Sequence, residues 1–131
     1  MIHVIHAVFV ICGFVMILTG LISARFLRKR RWWLKLHKMA NTVGSLSVLT
    51  GFFIMVINKS ITGAGHFDSI HAYVGFFIGL LSISTPVIGF IQLKAPYSGI
   101  KIRQIHGISG RILVILMAIN ILSGLRIAGI A

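Results

Sequence analysis

The sequence contains four long stretches of mostly apolar residues, and their length limits the folds that the chain can adopt. Each approaches or exceeds the ~20 residues with which an α-helix crosses a ~30 Å hydrocarbon core. Strands of a membrane barrel would be half as long and would alternate in polarity. Because lipid cannot hydrogen-bond the backbone, the stretches are expected to be helices. We predict an all-α fold, an integral membrane four-helix bundle that forms a single domain over residues 1–131. Its helices are expected over about 3–26, 34–58, 69–93 and 103–127.

The composition supports this prediction and excludes several classes of protein. Hydrophobic residues make up 57% of the chain and charged residues only 11%, which is too apolar for a soluble domain of this size. A single cysteine, Cys12, excludes an internal disulfide and a Cys-pair redox centre. A small proton-coupled transporter would need a carboxylate within the membrane. The sole acid, Asp68, lies between two spans, so that class is disfavoured.

The distribution of positive charge predicts the orientation. Seven of the 13 Lys and Arg residues lie in 25–38, and four more lie in 94–111, around the third connection. Since cytoplasmic loops carry the excess of Lys and Arg, we expect the first and third connections in the cytoplasm and both termini outside. We expect a multi-pass protein of the cell membrane in contact with membrane lipid. Nucleic acid is not an expected partner, because no soluble domain carries the basic charge.

Histidines near the start of each span are the candidate functional residues. Polar residues within membrane spans are expensive and tend to mark function, although a single such His is commonly a hydrogen-bonded packing residue. His37, His71 and His106 open the last three spans at spacings of 34 and 35 residues, and His3 or His6 opens the first. Spans 1 and 3 run in one direction and spans 2 and 4 in the other. We therefore expect one His pair near each membrane face, with the two levels on the order of 20 Å apart.

Such pairs indicate the kind of metal centre. Two imidazoles facing each other across a bundle suit the axial positions of a haem iron. Zinc would require four ligands at one level, and only two are expected at each. The chain contains no CxxCH motif, so covalent attachment of haem is excluded.

Glycines share a helix face with each of these histidines. Gly75 and Gly79 follow His71 by four and eight residues, and Gly110 and Gly124 follow His106 by four and 18 residues. Gly13 and Gly20 follow His6 at intervals of seven residues, which are nearly two helical turns, and the second span repeats the spacing after His37. Because His3 has no glycine at these intervals, the pattern favours His6. The glycines either leave room for a flat macrocycle or allow close packing of helices.

Three motifs resemble the cytochrome b561 core: TGLISAR at 19–25, SIHAYVG at 69–75 and IHGISGR at 105–111. The chain is most similar to the DOMON-associated, ferric-reductase-like type. The resemblance implies two non-covalent b-type haems and transmembrane electron transfer, with an oxidoreductase activity left open. The donor would be ascorbate-like or quinol-like, on the cytoplasmic side or in the membrane. The acceptor would be ferric iron or a redox protein at the outer face. The implied iron ligands are His6, His37, His71 and His106.

Basic residues near the cytoplasmic His level are candidates for binding anions. We expect Arg111 and Lys38 to contact haem propionates, and Arg31, Lys35 and Arg103 to attract an anionic donor. For all five, contact with lipid phosphate is an alternative.

A second function remains open from the sequence. The chain could be a haem-carrying membrane anchor subunit of a larger redox complex, without reductase activity of its own. The sequence also leaves open whether the chain forms a homodimer.

Overall fold

The computed structural model describes residues 1–94 and 99–129, and the chain forms four α-helices in this part. All four are long and apolar enough to cross a membrane. The predicted all-α membrane bundle is confirmed. The helices are α1 (Ile2–Phe26), α2 (Trp33–Thr62), α3 (Ile70–Lys94) and α4 (Gly99–Ile127).

Two helices extend beyond the expected bounds. α2 continues for one turn past residue 58 to Thr62. It is capped by Gly63, whose φ of 67° is the left-handed conformation that glycine adopts without a steric penalty. Lys59 stabilises this end, because its ammonium donates to Gly65 O and to Asp68 Oδ1, each at 2.7 Å. α4 begins at Gly99 rather than near residue 103, since Lys101 and Arg103 are good helix formers.

The four helices form a bundle of two closely packed pairs. α1 packs most extensively on α2, and α3 on α4, while the contacts of α2 with α3 and of α1 with α4 are smaller. Within the described residues, the diagonal pairs α1/α3 and α2/α4 have no Cα atoms within 8 Å of each other. Side chains that meet along a diagonal must therefore cross the centre of the bundle.

Glycines explain the close approach of α1 and α2. A Cβ atom on Gly13 would lie 2.8 Å from the carbonyl oxygen of Gly44, and one on Gly44 would lie 2.9 Å from that of Gly13. Both residues are buried at the α1–α2 contact. These two glycines allow helix packing of the kind that small residues provide in membranes, rather than leaving room for a macrocycle.

The middle of the bundle is filled by apolar side chains from all four helices. Most other large apolar side chains are exposed on the outside, where they would face lipid. The buried cluster consists of Ile17, Val48, Ile78, Leu113 and Met117.

Candidate functional site

Four histidines form two pairs, one on each side of the apolar middle. The ring centroids of His6 and His71 are 6.3 Å apart and the rings are inclined by 77°. The centroids of His37 and His106 are 5.9 Å apart and the rings are inclined by 84°. Each pair joins a diagonal of the bundle, the first across α1 and α3 and the second across α2 and α4. The histidines of spans 1 and 3 therefore form one pair and those of spans 2 and 4 the other, as the sequence predicts.

The other two histidines lie outside these pairs. His3 is exposed at the start of α1, whereas His6 is half-buried. His66 is exposed in the α2–α3 connection, with its Nε2 3.3 Å from Ser60 Oγ. The structure thus places His6, and not His3, opposite His71.

On α1 and α2, each paired histidine is held by a backbone carbonyl of the other helix. The Nδ1–H of His6 donates to Gly51 O at 2.9 Å, and that of His37 donates to Gly20 O at 2.8 Å. Each of these glycines lies 14 residues after the histidine of its own helix. The bonds assign the proton to Nδ1 and leave Nε2 as the nitrogen with a free lone pair.

On α3 and α4 the arrangement is similar with one difference. The Nδ1–H of His106 donates to Thr85 O at 3.0 Å, and Thr85 lies 14 residues after His71. The Nδ1–H of His71 instead donates to the hydroxyl of Ser123 at 3.1 Å. That hydroxyl donates in turn to the carbonyl oxygen of Asn120 at 2.9 Å, and Asn120 is the residue 14 positions after His106. A hydroxyl therefore takes the place of the direct carbonyl contact at this one histidine.

The repeated interval sets the distance between the two His levels. Fourteen residues of helix rise by about 21 Å, so the level of His6 and His71 and the level of His37 and His106 are separated by about that distance along the bundle. This agrees with the separation expected from the sequence.

Two further glycines lie directly against histidine rings. A Cβ atom on Gly89 would be 2.9 Å from Cε1 of His106, and one on Gly124 would be 2.9 Å from Cε1 of His71. Gly124 is predicted from the sequence on the face of His106, whereas Gly89 and the hydroxyl of Ser123 are not. A signal for Gly89 exists, because it follows His71 by 18 residues as Gly124 follows His106.

The basic candidates divide into two groups in the structure. Arg103 and Arg111 line an outward-facing groove together with Arg28, which the sequence analysis did not single out. Arg111 follows His106 by five residues, so it is rotated by about 140° from that ring around the helix axis. The remaining candidates, Arg31, Lys35 and Lys38, are exposed near the start of α2.

One ion pair is present in the described part of the chain, at the end that carries His6 and His71. Lys59 contacts Asp68 at 2.7 Å. The hydrogen bond from Lys59 lowers the pKa of the exposed Asp68 carboxyl below its usual value. The sole acidic side chain of the protein is thus ionised and neutralises a basic residue at this end.

Four membrane-spanning helices with two internal histidine pairs define a class of membrane protein that can hold metal cofactors within the bilayer. The chain matches the family model of eukaryotic cytochrome b561 over residues 5–129. No curated protein and no solved structure matches the chain. The chain belongs to the cytochrome b561 family, so it is a haem b-binding, multi-pass membrane protein of transmembrane electron transfer. The DOMON-associated subtype stays a prediction.

The donor set fits a haem iron at each level. Two metal–nitrogen bonds of about 2 Å, together with the depth of two imidazole rings, account for centroid separations of 6.3 and 5.9 Å. Each ring has Nε2 free to bind a metal. Its Nδ1–H is hydrogen-bonded, as in most metal-ligating histidines, and this bond fixes the orientation of the ring. Among residues 1–94 and 99–129, no cluster of three or more His, Cys, Asp or Glu side chains could hold a metal ion. Two imidazoles at each level therefore fit a haem, because its macrocycle supplies the other nitrogen donors to the iron.

Proposed function

We propose that the chain carries electrons across the membrane by means of two b-type haems, one held by His6 and His71 and the other by His37 and His106. The observation that carries this proposal is the facing of two imidazole pairs across the diagonals of the bundle. Haem bound at each pair would be held by the two histidines of that pair and would supply one-electron redox chemistry.

The residues of the chain have three tasks in this function. The paired imidazoles bind the cofactor, and the four Nδ1–H bonds hold each ring in one tautomer and one orientation. The buried cluster from all four helices excludes water from the region between the levels. Exposed apolar side chains on the outside keep the bundle in lipid. A fixed, dry environment of this kind limits the reorganisation that accompanies a change of charge.

The proposed direction of electron transfer is inferred from the charge at the two ends of the bundle. Arg31, Lys35 and Lys38 are exposed beside the His37 level, and a positive surface raises the local concentration of an anionic donor. We infer that this end lies in the cytoplasm and that a small ascorbate-like anion donates there, with an acceptor such as ferric iron or a redox protein outside. A quinol-like donor would instead enter from the membrane. Lys38 is also the proposed partner of a haem propionate. For Arg111, whose side chain lines an outward-facing groove, we propose no propionate contact.

A vesicle assay tests the function. Protein reconstituted around trapped ascorbate is expected to reduce ferricyanide outside the vesicle. His37→Ala and His71→Ala should each abolish the transfer, because each removes one of the two histidines from a different level. His66→Ala is the matched control, since this histidine is exposed in a connection, and it should retain the wild-type rate. Equal rates in all the variants would contradict the proposal. A haem-loaded protein that is reduced by ascorbate and passes no electrons to ferricyanide would favour the membrane-anchor alternative.

Labelling of single cysteines tests the orientation. With Cys12 replaced by serine, a cysteine in place of Lys29 is expected to react with an impermeant maleimide only after the cytoplasmic face is opened. A cysteine in place of Gly63 should react from outside in intact cells. The reverse pattern would invert the proposed direction of electron flow without affecting the haem ligands.

A further inference from the structure

A groove lined by three arginines lies on the lipid-facing side of α4, at the end that carries His37 and His106. Its volume is about 560 Å³. Three arginines and one glutamine supply its hydrogen-bond donors, and two isoleucines are among its apolar side chains. These residues are Arg28, Arg103, Arg111, Gln104, Ile100 and Ile108.

The groove is separate from the histidine pair at the same level. The α4 residues that line it recur at intervals of three and four positions, so they form one stripe along the helix. Arg103, Gln104 and Arg111 are exposed, whereas His106 is half-buried on the side that faces the bundle. A molecule in the groove would therefore contact the outside of the protein and not the space between the rings.

The positive charge of the groove has no acidic counterpart in the protein. The only acidic side chain of the sequence is Asp68, and it is paired with Lys59 at the opposite end. Three guanidinium groups around one cavity repel each other unless an anion lies between them. Arginine is suited to this role because its planar group presents several N–H donors to the oxygens of a phosphate.

Arg28 is held in position before any ligand binds. Its Nε donates to the carbonyl oxygen of Ala24 at 2.6 Å, and its guanidinium carbon lies 5.9 Å from the centroid of the Trp33 ring. Cation–π contact and the hydrogen bond restrict the side chain, so less entropy is lost when its remaining N–H groups bind an anion.

The position of the groove along α4 indicates an amphiphilic ligand. Arg111 lies eight residues after Arg103, about 12 Å further along the helix, and the open face between them includes Gly107, where a Cβ would meet nothing within 4 Å. An arginine at that depth on a lipid-facing surface is expensive unless it reaches the headgroups or meets an anion. A lipid supplies both a phosphate for the arginines and an acyl chain for Ile108.

We propose that the groove of Arg28, Arg103 and Arg111 binds the phosphate of an acidic membrane phospholipid, with one acyl chain along the lipid-facing side of α4. The lipid neutralises the uncompensated charge of this end and fastens the start of α4 to the end of α1. This proposal concerns only the lipid-facing surface of the bundle. It therefore does not depend on the number of haems or on the identity of the electron donor.

Spin-labelled lipids test the proposal in the haem-loaded protein. The protein is reconstituted in phosphatidylcholine vesicles, and the motionally restricted fraction of labelled phosphatidylglycerol is compared with that of labelled phosphatidylcholine. We expect the wild type to prefer phosphatidylglycerol by at least about fivefold, the effect of one basic residue near an anionic lipid. The triple variant Arg28→Gln, Arg103→Gln, Arg111→Gln should lose this preference. Glutamine has nearly the helix propensity of arginine, so α4 should be retained.

Arg126→Gln provides the matched control, because it removes an exposed arginine at the other end of α4. It should retain the preference for phosphatidylglycerol, and all variants should keep the wild-type haem content and visible spectrum. An unchanged preference in the triple variant, or an equal loss in Arg126→Gln, would overturn the proposal. Release of the labelled lipid by excess inorganic phosphate would show that the groove takes a soluble anion instead. Loss of haem from the triple variant would assign the arginines to the cofactor and would also overturn it.

Discussion

Replacing Gly124 with alanine is expected to disturb one histidine pair and leave the other unchanged. The new Cβ would lie 2.9 Å from Cε1 of His71, whereas ordinary contacts begin at 3.4 Å. The ring must therefore move by about 0.5 Å, or α4 must move away from α3. The ring cannot follow freely, because Ser123, the residue before Gly124, holds its Nδ1 at 3.1 Å.

The size of the effect follows from these two restraints. A ring forced from its preferred rotamer costs about 0.5–1.5 kcal/mol, and a weakened hydrogen bond costs a similar amount. The sum of about 1–3 kcal/mol corresponds to binding of the cofactor at that pair that is weaker by about fivefold to about 150-fold. The expected signs are partial loss of one haem during gel filtration and a shift in one of two low-spin signals in the electron paramagnetic resonance spectrum.

Gly107→Ala is the control on the same helix, since a Cβ there has no neighbour within 4 Å. It should leave both signals and the haem content unchanged. Gly89→Ala should shift the other signal, because its Cβ would lie 2.9 Å from Cε1 of His106. If Gly124→Ala behaved like Gly107→Ala, the reasoning from ring contacts would be refuted.

Two further variants test the surroundings of the pairs. Ser123→Ala removes the hydroxyl that accepts from His71, which makes this imidazole a weaker electron donor to iron; the midpoint potential of one haem should rise by roughly 40 mV, the equivalent of about 1 kcal/mol, in a spectroelectrochemical titration. Two unchanged midpoints would contradict that role of the hydroxyl. The double variant Lys35→Gln, Lys38→Gln should slow reduction by ascorbate severalfold in stopped-flow measurements, and added salt should slow the wild type in the same way. An unaltered rate with unaltered salt dependence would restrict these lysines to setting the topology.

The fold could be predicted from the sequence because lipid leaves a backbone so few alternatives. Four apolar stretches of sufficient length define four helices, and consecutive spans must run in opposite directions. Direction alone then places His6 level with His71 and His37 level with His106. The depth of a residue in a spanning helix depends only on counting residues from the start of the span, which requires no knowledge of side-chain contacts.

The details that depend on helix rotation could not be predicted in this way. Whether a ring nitrogen meets Thr85 O or the hydroxyl of Ser123 is decided by rotations of a few degrees between neighbouring helices. The same limitation applies to Arg111, which is close to His106 in sequence but lies on another face of α4. The ends of α2 and α4 also differed from expectation. Charged residues such as Lys59 and Lys101 interrupt an apolar stretch without ending the helix that contains it.

The central claim is that two histidine pairs bind two haems, and the haem-to-protein ratio tests it most directly. A pyridine haemochrome assay on fully loaded protein is predicted to give two haems b per chain. His6→Ala and His106→Ala should each reduce the ratio to about one, and His3→Ala should leave it at two, because this histidine is exposed and outside both pairs. A ratio of one or fewer in the wild-type protein, or a haem lost with His3→Ala and kept with His6→Ala, would contradict the account.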